Sequence, residues 1–209
     1  MTVIELSHPI HAGMVTYRGL PGPKITRAPS APGTTFAIHR IGMVGNTGTY
    51  VDSPAHPYDD GVDIGGLPLD RLADVPGIVV RVPSGVTAID RSHFAGYCVG
   101  GLAVLVHTGW DRHFGTAAYG PGRHPHLTAE AVDWLVRKDA ALVGIDSVNI
   151  DDTSTGDRPA HLGLLGAGIP IVEHLTGLGA LPPAGFRFHA APPRIAGMGS
   201  FPVRAYAIV

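Results

Sequence analysis

Asn46-Thr47-Gly48-Thr49-Tyr50-Val51-Asp52-Ser53-Pro54-Ala55-His56 is the stretch on which the reading of this chain turns. In an extended segment side chains repeat every second residue, so positions 46, 50, 52 and 56 project to one side. A carboxylate and an imidazole then share a face with an amide and a phenol. One straight strand cannot gather them round a single ion, because ten steps of about 3.3 Å span roughly 33 Å, whereas metal bonds are near 2 Å. The segment must bend. Gly48 removes a side chain where another group can approach, and Pro54 argues against a fully paired central strand. The stretch is therefore predicted to be strand, turn and extended loop around a pocket.

Outward from it, short β-branched runs occupy Val3–Leu6, Phe36–Met43, Ile78–Val82, Leu102–His107, Ala141–Ile145, Ile169–Val172 and Val203–Val209. These are strand lengths. Thr128 can cap a helix reaching Lys138, with Glu130 in its first turn and Ala131, Trp134 and Leu135 on one face. A second helix is expected after Thr87. Val-Leu-Val-His before Thr108 and Ala-Leu-Val-Gly-Ile before Asp146 read as buried strands, and the helix between them suits a parallel crossover. The polar residues that follow, Thr108 and Asp146, then stand at carboxyl ends of strands, where open α/β sheets place ligands. The expectation is a mixed α/β fold with a strand-rich core.

With 209 residues, 44% of them hydrophobic, the chain can bury a sizeable core and fits one domain, 1–209, better than two. Its 29 glycines and 19 prolines are dispersed among the apolar runs, which implies turns and not a low-complexity tract. A formal charge of −2 with no long basic run leaves no electrostatic footprint for nucleic acid or acidic membrane. Small molecules are the expected partners. No run approaches the roughly 18 apolar residues of a membrane span, and MTVIELSHPI lacks a secretory pattern, so a soluble, cytoplasmic protein is expected. Cys98 is the single cysteine, which forbids an intrachain disulfide; its setting among Val99, Leu102 and Ala103 predicts a buried, inert thiol.

A second polar constellation lies far along the chain. His161 precedes an apolar run, and Glu173 ends Ile-Pro-Ile-Val-Glu. A carboxylate in that setting is drawn toward the core, where it demands a partner, an ion or a raised pKa.

Taken together these residues resemble the cyclase-like metal-dependent hydrolases that include kynurenine formamidase and isatin hydrolase. The hallmark of that family, His-x-Gly-Thr-His-x-Asp-x-Pro-x-His, aligns without gaps onto Asn46, Gly48, Thr49, Tyr50, Asp52, Pro54 and His56. The resemblance implies a swivelling β/β/α-type fold, a homodimer or homotetramer, and two divalent metals, zinc or manganese. By position it makes Asp52, His161 and Glu173 metal ligands and His56 the proton shuttle. It also makes Tyr17 the counterpart of an aromatic residue, tryptophan in the formamidase branch, that shapes the substrate pocket.

The chain departs from the pattern at the two leading histidines, which are Asn46 and Tyr50. An amide oxygen and a neutral phenol are much poorer zinc ligands than imidazoles, so one ion loses its cage. Asp52, His161 and Glu173 still form a three-ligand set with room for water, the pattern of a catalytic site. The leading expectation is hydrolysis of an amide, lactam or related carbonyl compound with one metal. The alternatives are a metal-independent natural-product cyclase or dehydratase, with Tyr50 as a catalytic acid and Asn46 binding substrate, and a degenerate small-molecule binder.

Each residue also has a plainer explanation. Asp52 and Ser53 suit a turn before Pro54; His56 is one of twelve histidines; Glu173 could neutralise Arg158; and Tyr50 could be core with its hydroxyl satisfied. Several motifs fail outright. Gly163-Leu-Leu-Gly166-Ala-Gly168 has the wrong order for a dinucleotide fingerprint, and Gly197-Met-Gly-Ser200 is no nucleophile elbow. His124-Pro-His126 reads as a surface turn, and Asp59, Asp60 and Asp63 as a solvated one.

Overall fold

The computed structural model describes residues 1–14, 19–29, 33, 35–120 and 122–209. Tyr17 lies outside them. In chain order the elements are β1 (Val3–Glu5), β2 (Lys24–Arg27), β3 (His39–Gly42), β4 (Tyr50–Asp52), β5 (Val75–Arg81), β6 (Ala88–Ile89), β7 (Ala103–His107), β8 (His126–Leu127), α1 (Ala129–Arg137), β9 (Leu142–Ile145), β10 (Ile171–Glu173), β11 (Ala184–His189), β12 (Ser200–Pro202) and β13 (Tyr206–Ile208). Nine of these strands form one mixed sheet in the order β1-β13-β11-β5-β7-β9-β10-β4-β12. Its middle, β5-β7-β9-β10, is parallel, and both wings are antiparallel.

Two apolar clusters explain why the central strands read as unbroken hydrophobic runs. Val79, Leu105, Leu142 and Val172 belong to one core with Phe186 and Phe188. Their alternating neighbours Ile78, Val80, Val104, Val106, Val143 and Ile145 belong to the other with Phe94 and Leu135. A sheet buried on both faces has no solvent side to show as polar alternation. Fully burying each such side chain stabilises the fold by about 1.5–3 kcal/mol.

Helix α1 lies between the parallel strands β7 and β9, as expected, and Thr128 caps it by accepting from the Ala131 amide. Ala131, Val132 and Leu135 are its buried residues. The helix expected after Thr87 is instead β6 followed by a 3-10 turn, Arg91–Phe94, capped by Asp90. Cys98 is exposed, contrary to expectation, because its apolar neighbours Val99 and Ala103 take the interior positions. His124 is buried and not a surface residue: its imidazole meets Ser147 Oγ at 3.3 Å and Thr153 Oγ1 at 3.0 Å. No described helix is long and apolar enough to cross a membrane.

For the site, the decisive part is the β10-β4-β12 wing. Strand β10 runs parallel to β9 on one side and antiparallel to β4 on the other. The register sets Glu173 opposite Tyr50 and Ser200 opposite Asp52. Directly opposed residues have Cβ atoms about 4.5–5.5 Å apart, so their polar ends meet. Gly199 enters this wing because a Cβ there would lie 2.6 Å from His56 Cα.

Candidate functional site

Tyr50 and Asp52 point to the same side of β4, while Val51 between them joins a core cluster. Beyond the strand the chain turns, with the His56 amide donating to the Ser53 carbonyl at 2.8 Å. On the other side Gly48 adopts φ +64°, and a Cβ there would lie 3.2 Å from Ile10 Cγ1. These bends bring both ends of the stretch to one cavity of about 800 Å³, lined by Asn46, Tyr50, His56, Asn149, His161 and Glu173 among others. The predicted strand and pocket loop are therefore present.

His161 comes from a different element, a π-helical turn spanning His161–Leu165. Its Nε2 lies 3.7 Å from Asp52 Oδ2 and 3.9 Å from Glu173 Oε1. Ligand-type atoms of all three residues lie within 4.8 Å of one another, and all three side chains are buried. The structure thus brings together the three residues expected to hold a metal, from positions 52, 161 and 173. Among the described residues no other such group of histidine, cysteine and acidic side chains occurs.

Asp151, which the sequence reading missed, orients the imidazole. Its carboxylate accepts from His161 Nδ1 at 2.6 Å and from the amides of Ala160 and His161 at 2.6 and 3.1 Å. With Nδ1 donating, Nε2 turns toward Asp52 and Glu173, the orientation found at metal-binding histidines. No motif spacing marks Asp151; it follows a buried strand by six residues and is recognised only by what it touches.

Ser200 is the second residue missed. Its hydroxyl donates to Asp52 Oδ1 and sits 2.9 Å from His56 Nδ1. A hydroxyl carries one hydrogen and a carboxylate only accepts. Once that hydrogen is given to Asp52, His56 must be the donor in the other bond. In the sequence Ser200 ends the run Gly197-Met-Gly-Ser200, which is no nucleophile elbow and carries no other local signal.

Tyr50 fills the place beside Glu173. Its hydroxyl donates to Glu173 Oε2 and is hydrogen-bonded by the Asn46 side chain. Burial, reinforced by Glu173 and Asp52, holds the phenol well above its usual pKa, so it stays protonated. Glu173 Oε1 accepts from the Ile150 amide at 2.6 Å. Arg158 does not neutralise Glu173, contrary to the plainer reading; it bonds backbone carbonyls. Asp146 accepts from the Thr108 amide and hydroxyl and the Gly109 amide, which makes it a brace between strand ends.

The electrostatics suit a cation. Burial raises the Glu173 carboxyl to about 7, against the pull of His161. Burial would lower His161, but Asp151, Asp52 and Glu173 together hold it well above its ordinary value. Three buried carboxylates thus share one imidazole. Asp52 Oδ2 is buried with no hydrogen-bond partner, although it faces His161 Nε2. An orphaned anionic oxygen in such a place is costly unless an ion or proton satisfies it. Three protein ligands, here one imidazole and two carboxylates, is the number at catalytic sites that keep an open position for water.

Comparison with known proteins agrees with this geometry. Residues 4–152 match the family described as "Putative cyclase". A kynurenine formamidase from Salinibacter ruber is 31% identical over 160 residues, covering 77% of this chain and 74% of that protein. Among solved structures, isatin hydrolase A from Labrenzia aggregata superposes with a TM-score of 0.88 at 23% identity, covering 100% of this chain and 93% of the other. A structure described as a potential metal-dependent hydrolase with cyclase activity has a TM-score of 0.82 at 26% identity, covering 99% and 96%. A family match running through β4 and α1, and a relative similar over most of both lengths, make this chain a member of the cyclase family.

Proposed function

We propose that this protein hydrolyses an amide, lactam or related carbonyl compound, with Asp52, His161 and Glu173 holding one divalent ion, zinc or manganese. The observation that carries the reading is the unpartnered Asp52 Oδ2 beside His161 Nε2, under a cavity that His56 also lines. The relative named kynurenine formamidase and the structure described as a metal-dependent hydrolase support the same chemistry.

Bound there, the ion supplies a Lewis acid for the substrate carbonyl oxygen and lowers the pKa of water. The protein's own groups move the protons. His56 donates from Nδ1 to Ser200, which leaves Nε2 with the free lone pair. That nitrogen takes a proton from the attacking water and returns it to the departing amide nitrogen. Asp52 holds this relay through Ser200 and so links metal set and base.

Asn46 and Tyr50 stand where the family motif has histidines, and this marks the chain as a divergent, one-metal branch. In support, the Tyr50 phenol stays protonated as its hydroxyl donates to Glu173, so it offers a metal only a neutral oxygen, a poor zinc ligand. Asn46, which lines the cavity, contacts substrate. The protein works as a homodimer or homotetramer. The exposed Ile25, Ile38 and Ile41 on and beside the β2–β3 ribbon support association. The pairing of β1 with β13, which ties the two ends of the chain, supports one domain over 1–209.

The Tyr50–Glu173–Asn46 bonds favour one competing reading, a metal-independent cyclase or dehydratase in which phenol and amide polarise the carbonyl. Metal content of protein purified without chelator separates the two, measured beside Asp52→Ala and with N-formylkynurenine as reference substrate. We expect about one equivalent of metal in the wild type and little in the variant, with turnover abolished by chelator and restored by zinc or manganese. Negligible metal in both proteins defeats the metal reading. Full activity in chelator with a large loss in Tyr50→Phe establishes the competing one.

A further inference from the structure

We infer that Arg158 is the anion-recognition group of this cavity, so that the compound it accepts carries a carboxylate close to the reacting carbonyl. The inference rests on the reading above that this cavity is the substrate site.

Arg158 lines the cavity with His161 and Leu162. Its placement is rigid: Nη1 donates to the carbonyls of Asp152, Thr155 and Asp157 at 3.2, 2.9 and 2.7 Å. All three of these bonds use one nitrogen. The Nε and Nη2 edge of the guanidinium has no acceptor among the described residues, and none of their ion pairs includes Arg158. Elsewhere in this molecule the same edge shows what it is suited to: Arg187 clasps Asp74 through Nε and Nη2 at 2.9 and 2.7 Å. Such a planar fork matches a carboxylate in two parallel bonds. A half-buried guanidinium held by its back, with the fork left over, is a preorganised receptor for one.

The local backbone sets the distance between anion and chemistry. The Leu162 amide donates to the Arg158 carbonyl at 2.9 Å, which makes Arg158 the N-cap of the helical turn that carries His161. Three residues apart at the start of one turn, Arg158 and His161 both line the cavity. Asp52 and Glu173 gather instead at His161 Nε2, 3.7 and 3.9 Å from it, where the reacting carbonyl is placed by the reading above. The two ends together orient the ligand, carboxylate at Arg158 and carbonyl toward His161. Leu20, Pro57, Ala129, Pro159 and Leu162 give apolar walls for a ring or short alkyl body.

Two probe pairs test this. Benzoate and benzamide share shape and differ in charge, and their binding is read by titration calorimetry on the protein as purified. Benzoate is expected to bind at least about tenfold more tightly, the equivalent of about 1.4 kcal/mol. Arg158→Gln should remove that preference while leaving benzamide binding unchanged, and Arg158→Lys, which keeps charge without the fork, should restore part of it. Equal binding of the two probes, or a benzoate preference that survives in Arg158→Gln, overturns the inference. Loss of both probes in Arg158→Gln also overturns it, since that result assigns Arg158 to bracing its loop. N-formylanthranilate and formanilide form the second pair and read turnover. Turnover without charge preference keeps the hydrolase and removes the anion site; an Arg158-dependent benzoate preference without turnover of either does the reverse.

Discussion

At the scale of single residues, the chemistry depends on the proton inventory around Asp52. Ser200 has one hydrogen and two neighbours that need different things from it, and this alone sets the His56 tautomer. Ser200→Ala removes the constraint without touching a cavity-lining group. It should lower kcat by about 10–100-fold, the usual cost of losing a partner that orients a catalytic group, while KM stays near its starting value. The check is steady-state hydrolysis across pH, and an unchanged kcat would show that His56 does not need the serine. Asp52, His56, His161 and Glu173 stand out in the sequence as acids and bases in apolar or turn settings, and the family resemblance is what attaches a role to each. Sequence reading missed Ser200 and Asp151 because a serine in a glycine-rich run, and an aspartate beside another aspartate, have many uses that only contacts distinguish.

At the scale of elements, local pattern told most where a face is buried. The β-branched runs at β5, β7, β9 and β10 and the capped periodic segment of α1 all became the elements expected. Strand β11 was not among the runs expected, yet its buried Phe186 and Phe188 alternate with exposed Arg187, as a strand should. The register between β11 and β5 puts Phe186 across from Gly77, where an added Cβ would lie 2.2 Å from the ring. Gly77→Ala should therefore destabilise the protein by about 1–3 kcal/mol through overpacking. Urea unfolding reads this as a lower midpoint at an unchanged slope; an unmoved midpoint would mean that the ring can turn aside. Strand β12 was beyond local reading, since three residues ending in Pro202 carry little periodicity and form a strand only as the edge partner of β4.

At the scale of the whole molecule, the N-terminal segment is clamped by groups distant in sequence. His8 stacks on Phe114 with ring centroids 3.5 Å apart, and its amide is held by Thr49 Oγ1 at 3.0 Å. Burial lowers its pKa from 6.5 to about 4, with Asp111 pulling the other way. Above pH 6.5 folded and unfolded chains both keep His8 neutral, and its contribution to stability is complete. As pH falls from 6.5 toward 4 the unfolded chain takes up the proton first, so stability declines through that window. His8→Phe should flatten the fall of the unfolding midpoint between those values, with a residual slope from His174, which burial also lowers to about 4. Parallel pH profiles for the two proteins would contradict this. The amino-acid order by itself determined the two-sided sheet core, the helix joining two parallel strands, and the types of side chain available for a site, because burial and periodicity act over a few residues. Only the tertiary structure decided that Asp52 meets Ser200 across 148 positions of chain, that Asp151 orients His161, and that Arg158 faces the same cavity. Those meetings depend on sheet order and strand register, which are settled by packing between distant segments and leave no mark in any one of them.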